Sequence, residues 1–181
     1  MKTVAVYGSS MAQPGEPSYE ATVQVGKVIA DAGYAVISGG YAGLMEAASR
    51  GAASGDGQVI GVTTAILKDL RGAQPNQWLT EEIHYPTMRE RLMHLILEPD
   101  AHVVMPGGIG TLAELIMVWE LVRVNELPPR PIILYGAYWG DLLAPMRDLP
   151  YFHASSWALL ETADTPTAVI QLIQAKLEAS S

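Results

Sequence analysis

The sequence predicts an α/β fold: a single-domain, doubly wound, Rossmann-like three-layer sandwich around a mainly parallel sheet, spanning residues 1–181. Two observations carry this expectation. Short apolar runs bounded by Gly or Pro alternate with longer stretches of helical period, the pattern of repeated βαβ units. A chain of 181 residues, 49% of them hydrophobic, is also the right size for one core rather than two.

The apolar runs place strands at Thr3–Tyr7, Tyr34–Ser38, Val59–Val62, Ala101–Met105 and Pro131–Tyr135, with a late one near Ala158–Glu161. Helical periodicity lies between them, at Tyr19–Ala32, Gly43–Ala53, Thr87–Leu97, Leu112–Asn125, Trp139–Asp148 and Thr167–Glu178. The stretch Thr63–Tyr85 breaks the rhythm. Its length and its Arg71-Gly72-Ala73-Gln74-Pro75-Asn76 centre read as a long loop, either a lid or disordered chain. The last residues, Ala179-Ser180-Ser181, read as a frayed end.

Composition excludes several function classes. Without Cys there is no disulfide, thiolate nucleophile or Cys-bound metal, and a reducing compartment, the cytoplasm, is expected. A net charge of −8 with no Lys/Arg cluster argues against a nucleic-acid polymer as partner. No signal peptide or membrane span is expected, since even the apolar stretch Leu112–Val122 carries Glu114 and Glu120. His84, His94, His102 and His153 lack zinc-ligand spacing, so no metal is expected, and His102 reads as a core histidine.

Function is expected where three glycine-rich turns leave strand ends: Gly8-Ser9-Ser10, Gly39-Gly40-Tyr41-Ala42-Gly43 and Pro106-Gly107-Gly108-Ile109-Gly110-Thr111. Ligands of open parallel sheets bind beyond the carboxyl ends of the strands. Glycine lets backbone approach a ligand, and amides at a following helix start attract phosphate. The particular motif is not Walker A, because Gly26-Lys27 is followed by Val28. Gly108-Ile109-Gly110-Thr111-Leu112-Ala113 fits G-x-G-x-x-[GA], but Glu126, the nearest acidic candidate for a ribose hydroxyl, lies in a helix-to-strand connection.

Two charged segments remain. Thr111-Leu112-Ala113-Glu114 matches a capping box, which would spend Glu114 on a helix start; alternatively its carboxylate faces a sugar attached to the bound phosphate. Met88-Arg89-Glu90-Arg91 opens a helix, and spacing does not choose between its two arginines.

Pro106-Gly107-Gly108-Ile109-Gly110-Thr111-Leu112-Ala113-Glu114 resembles the P-G-G-x-G-T-x-x-E signature of the LOG family, the phosphoribohydrolases long labelled lysine decarboxylases. Gly8-Ser9-Ser10, Gly39-Gly40 with Gly43-Leu44-Met45, and Pro131-Ile132-Ile133 with Tyr138-Trp139 extend the likeness along most of the chain. The resemblance implies hydrolysis of the N-glycosidic bond of a nucleoside 5′-monophosphate by a homodimer that requires no cofactor. Its register assigns the catalytic pair to Glu114 and Arg91, with Met88 and Asp100 also in place. It puts the phosphate on Gly107, Gly108, Gly110 and Thr111, with Gly8, Ser9, Ser10, Gly39, Gly40, Gly43 and Met88 completing the ligand site.

Gly43-Leu44-Met45-Glu46 and Arg91-Leu92 depart from the plant pattern toward a prokaryotic branch that also resembles molybdenum-cofactor carrier proteins. The alternative function is therefore a non-catalytic binder of a nucleotide-like or molybdopterin phosphate. Literal lysine decarboxylation finds little support, because it needs a Schiff-base lysine. Of Lys2, Lys27, Lys68 and Lys176, only Lys68 lies near a candidate lid.

Overall fold

The computed structural model describes residues 1–179, so the expectation of fraying at Ser180 and Ser181 lies outside the described residues. Seven strands form one sheet: β1 (Thr3–Tyr7), β2 (Ala35–Ser38), β3 (Val59–Thr64), β4 (Glu81–Tyr85), β5 (Ala101–Val104), β6 (Ile132–Tyr135) and β7 (Leu160–Ala163). Their order is β4-β3-β2-β1-β5-β6-β7, and every pairing is parallel. Chain direction across the sheet reverses between β1 and β5, which makes their carboxyl ends the switch point of a doubly wound fold.

Side-chain alternation assigns the two faces. Val4 and Val6, Val36, Val59, and Ala101 and Val103 pack on one face with Tyr19, Val25, Ile29, Leu44, Ala48, Val169 and Ile173. Those partners come from α1 (Pro17–Asp31), α2 (Leu44–Ala53) and α8 (Pro166–Ala179). The opposite residues, Ala5, Tyr7, Ile37, Val62, Val104, Ile132 and Leu134, meet Leu95, Leu115, Val118, Trp119 and Trp139. These belong to α4 (Met88–Leu97), α5 (Ile109–Arg123) and α6 (Ala137–Leu143). The central strands are thus buried on both sides, as continuous apolar runs require.

Several expected boundaries move. The segment Thr63–Tyr85 is no featureless loop: it holds the end of β3, the short helix α3 (Ala65–Arg71) and the edge strand β4. β4 reads Glu-Glu-Ile-His-Tyr and is largely exposed, so its polar composition hides it from an apolar-run criterion. The expected helix Trp139–Asp148 divides into α6 and a 3₁₀ turn at Ala144–Met146, and a further short helix, α7 (Ala154–Trp157), precedes β7. The last strand begins two residues later than expected, and α5 starts at Ile109 rather than Leu112.

α1 and α2 pack unusually closely because small residues line their contact. A Cβ at Gly26 would overlap the Ala48 carbonyl, and one at Gly51 the Val23 carbonyl. Gly140 in α6 faces open space by the same measure. Gly26→Ala is therefore expected to destabilise the protein by about 1–3 kcal/mol through overpacking. Gly140→Ala should be neutral or stabilising by up to about 1 kcal/mol on helix propensity. Urea unfolding of the two variants measures both; equal midpoints would contradict the close packing of α1 on α2.

Candidate phosphate and sugar site

The three glycine turns converge at the carboxyl ends of β1, β2 and β5. Ser9 N donates to Pro106 O at 3.0 Å, and Leu44 N donates to Ser9 O at 2.8 Å, so the first turn ties the other two together. This contact dictates Gly43: its φ is +72°, and a Cβ there would overlap the Ser9 carbonyl and the Ser10 backbone. Gly8 sits against Leu44 and Met105, whereas Ser10 is exposed at the rim. Gly40, with φ +75°, lies against Gly61 of β3, and its carbonyl accepts from Asn76 N at 2.9 Å.

α5 opens at this edge with Gly108 as its N-cap and no side-chain cap. Leu112 N makes the first helical bond, to Gly108 O at 2.9 Å, which leaves the amides of Ile109, Gly110 and Thr111 without intrahelical acceptors. Gly108 and Gly110 face open space, while Gly107 packs on the buried Thr111 side chain. The loop is braced from behind: Tyr138 Oη donates to Gly107 O at 2.8 Å, and Trp139 Nε1 to Met105 O at 2.9 Å. Rigid open amides at a positive helix end are suited to a phosphate or carboxylate.

The earlier start of α5 decides the role of Glu114. Thr111 is the third residue of the helix rather than its cap, so Thr111 and Glu114 form no capping box. A threonine cap operates at α4 instead, where Thr87 Oγ1 accepts from Glu90 N at 3.2 Å and donates to Glu90 Oε2 at 2.5 Å. Glu114 is left half-buried one turn into α5. Burial pushes its carboxyl up to about 7, against the opposing pull of the Arg91 guanidinium.

Arg91 is the buried arginine of the pair and Arg89 is exposed, a choice that helical spacing left open. From α4 the Arg91 side chain reaches under the turns. Nε donates to Val62 O at 2.7 Å and Nη2 to Gly39 O at 3.2 Å. A Cβ on Gly39 would overlap Nη2, which explains glycine there. The guanidinium lies 5.6 Å from the centroid of the Tyr41 ring, whose hydroxyl donates to Thr64 O at 3.1 Å and accepts from Thr64 N at 2.8 Å. Burial lowers the Arg91 pKa, and Glu114 and then Tyr41 draw it back up. Arg91 and Glu114 interact electrostatically without a direct ion pair.

Met88, first residue of α4, is 40% exposed at the rim. Asp100 lies at the opposite edge of the sheet, where its carboxylate accepts from Thr3 N at 2.7 Å, so its role is to align β1 with β5. Tyr41, Tyr138 and Thr87 position the site, and sequence reasoning gave none of them that role. Only the Thr87-x-x-Glu90 spacing carried a usable signal. His102 is fully buried beside the Tyr7 hydroxyl at 2.8 Å, and burial, then Arg130, lowers its pKa to about 3. It is a neutral core histidine. No helix among the described residues is long and apolar enough to cross a membrane, and no three His, Asp or Glu among them could jointly hold a metal ion.

Fold and site together define a Rossmann-like protein with an uncapped, glycine-rich helix start at its switch point and a carboxylate and a buried guanidinium beside it. Residues 45–173 match the family described as "Possible lysine decarboxylase", and the chain belongs to this LOG family. It is 34% identical over 138 residues to "Probable cytokinin riboside 5'-monophosphate phosphoribohydrolase LOGL5" of Oryza sativa subsp. japonica, covering 72% of this chain and 54% of the rice protein. The "Cytokinin riboside 5'-monophosphate phosphoribohydrolase" of Mycobacterium tuberculosis is 32% identical over 120 residues, 65% of this chain and 62% of that protein. The aligned stretch thus spans between half and two thirds of these two relatives. The molybdenum cofactor binding protein of Rippkaea orientalis shares the fold, with a TM-score of 0.76 over 97% of both chains at 23% identity.

The opposing influences on Glu114 have a measurable sign. Its carboxyl should titrate near pH 7 in carbon-detected NMR of the free protein. Arg91→Met removes the one favourable charge and should move the midpoint higher. A midpoint that stays put or falls would show that the guanidinium does not act on this carboxylate.

Proposed function

We propose that the protein hydrolyses the N-glycosidic bond of a nucleoside 5′-monophosphate, releasing free base and ribose 5-phosphate. The observation that carries this reading is the placement of Glu114, free of capping duty, one turn beyond the open amides of α5 and within the electrostatic reach of the buried Arg91. The family match and the named hydrolases among the relatives support it.

In this proposal the phosphate sits on the amides of Ile109, Gly110 and Thr111, which brings the ribose toward Glu114. Cleavage of C1′–N leaves positive charge on the sugar, and the departing base takes the electron pair. The Glu114 carboxylate stabilises that charge and orients water, whose oxygen forms the new bond to C1′ while its protons pass to solvent and base. Arg91 holds the sugar or phosphate and favours the ionised form of Glu114. No cofactor is needed for these steps. Backbone amides and one arginine also reconcile a chain of net charge −8 with an anionic ligand.

The remaining features of the proposal are a homodimer and a cytoplasmic location. Ile109 and Ile116 on α5 and Met88 on α4 are exposed apolar side chains beside the site and suit a subunit contact. Sedimentation velocity reports the mass directly, and a monomer at micromolar concentration would exclude the dimer.

Incubation with AMP or a cytokinin riboside monophosphate should yield free base by chromatography. Glu114→Gln should lower turnover by at least about a hundredfold, the scale of losing an electrostatic stabiliser. Because the ionised carboxylate is the active form, kcat/KM should fall as pH drops below about 7. Wild-type turnover in Glu114→Gln would refute the mechanism; tight retention of an uncleaved phosphorylated ligand would favour the binding-only alternative.

A further inference from the structure

A cavity of about 430 Å³ lies beyond Tyr41 at the carboxyl ends of β3 and β4, and neither Arg91 nor Glu114 lines it. Its volume falls within the range of about 300–1,000 Å³ usual for small-molecule sites. Tyr41 and Thr63 are buried in its floor, and Lys68, Gln74, Glu82 and His84 stand exposed around it. Tyr41 is the wall it shares with Arg91.

The β3–β4 register sets Thr63 opposite His84, and Glu82 lies on the same face two residues earlier. Thr63 Oγ1 is 2.5 Å from Glu82 Oε1 and 2.8 Å from His84 Nδ1. A hydroxyl has one proton to give. With Glu82 ionised, that proton goes to the carboxylate, so His84 Nδ1–H donates to Thr63. In the neutral ring this leaves Nε2 as an acceptor, and Glu82 retains its second oxygen. Lys68 also borders the cavity, yet it forms no salt bridge with Glu82 or any other described residue. The cavity therefore offers two acceptors fixed by a buried threonine, together with an ammonium that has no ion-pair partner among the described residues and the Gln74 amide, which keeps one N–H beyond its 3.4 Å bond to Gly72 O.

We infer that this cavity is a second ligand site, separate from the phosphate site, for a small zwitterion of the α-amino-acid class. The ligand's ammonium donates to the free Glu82 oxygen and His84 Nε2, and its carboxylate accepts from Lys68 and the Gln74 amide. A phosphate would meet the Glu82 charge as repulsion, and a polyol would leave both formal charges unpaired.

The test is calorimetric titration of the full chain with the free standard amino acids, followed by NMR mapping of any that bind. At least one should bind and perturb amides between residues 63 and 85. Lys68→Met and Glu82→Gln should each weaken it by about tenfold or more; Lys68→Met should leave the thermal midpoint unchanged because that side chain is exposed, and Glu82→Gln keeps an amide oxygen to accept from Thr63 Oγ1. Glu114→Gln should bind it as the wild type does, so the outcome is independent of the hydrolase reading. The site is overturned if no amino acid binds at millimolar concentration, if the Lys68 and Glu82 variants bind as well as wild type, or if the N-acetylated ligand or inorganic phosphate binds equally well.

Discussion

Arg91 reaches into the buried end of a parallel sheet, and a guanidinium there is tolerable only if its donors find acceptors. Two main-chain carbonyls supply them, Val62 O at the end of β3 and Gly39 O just past β2. That pair of bonds constrains the surroundings. Gly39 can carry no side chain, Tyr41 must lie flat beneath the charge with its hydroxyl held by Thr64, and α4 must begin at Thr87 to aim the arginine inward. The arginine thus spans the β2 and β3 ends while remaining close enough to Glu114 to bias its ionisation.

The other half of the site obeys a different constraint, the unsatisfied amides of a helix start. α5 has no side-chain cap, its first residues project into open space, and Tyr138 and Trp139 stiffen the loop from behind. A helix left uncapped at a sheet's switch point forgoes local stabilisation and retains anion affinity. Moving the helix start from Leu112 to Ile109 turns Glu114 from a candidate cap into a carboxylate available for chemistry.

What was legible in the sequence follows from burial. The interior strands β1, β2, β3, β5 and β6 are apolar on both faces, and their runs stand out from the polar chain around them. β4 is an edge strand paired only with β3, so its Glu, His and Tyr side chains meet solvent and no periodicity marks it. The glycine turns were legible because positive φ and close approach admit few other residues, as Gly39, Gly40 and Gly43 illustrate. Arg91 was separable from Arg89 only through family register, since both occupy the first turns of one helix and their difference is tertiary.

Tyr41 had no sequence signature because its role depends on contacts made across 23 and 50 positions of chain, to Thr64 and Arg91. Its ring sits between two polar regions of different character. On one side a guanidinium and a carboxylate lie beside the open backbone amides of α5; on the other, Thr63 organises Glu82 and His84 near Lys68, which has no ion-pair partner among the described residues. The Thr64 clamp on the Tyr41 hydroxyl restrains that partition from moving. The open parallel sheet can therefore carry two chemically distinct recesses along one edge, because each strand end contributes its own turn and a single buried aromatic separates them.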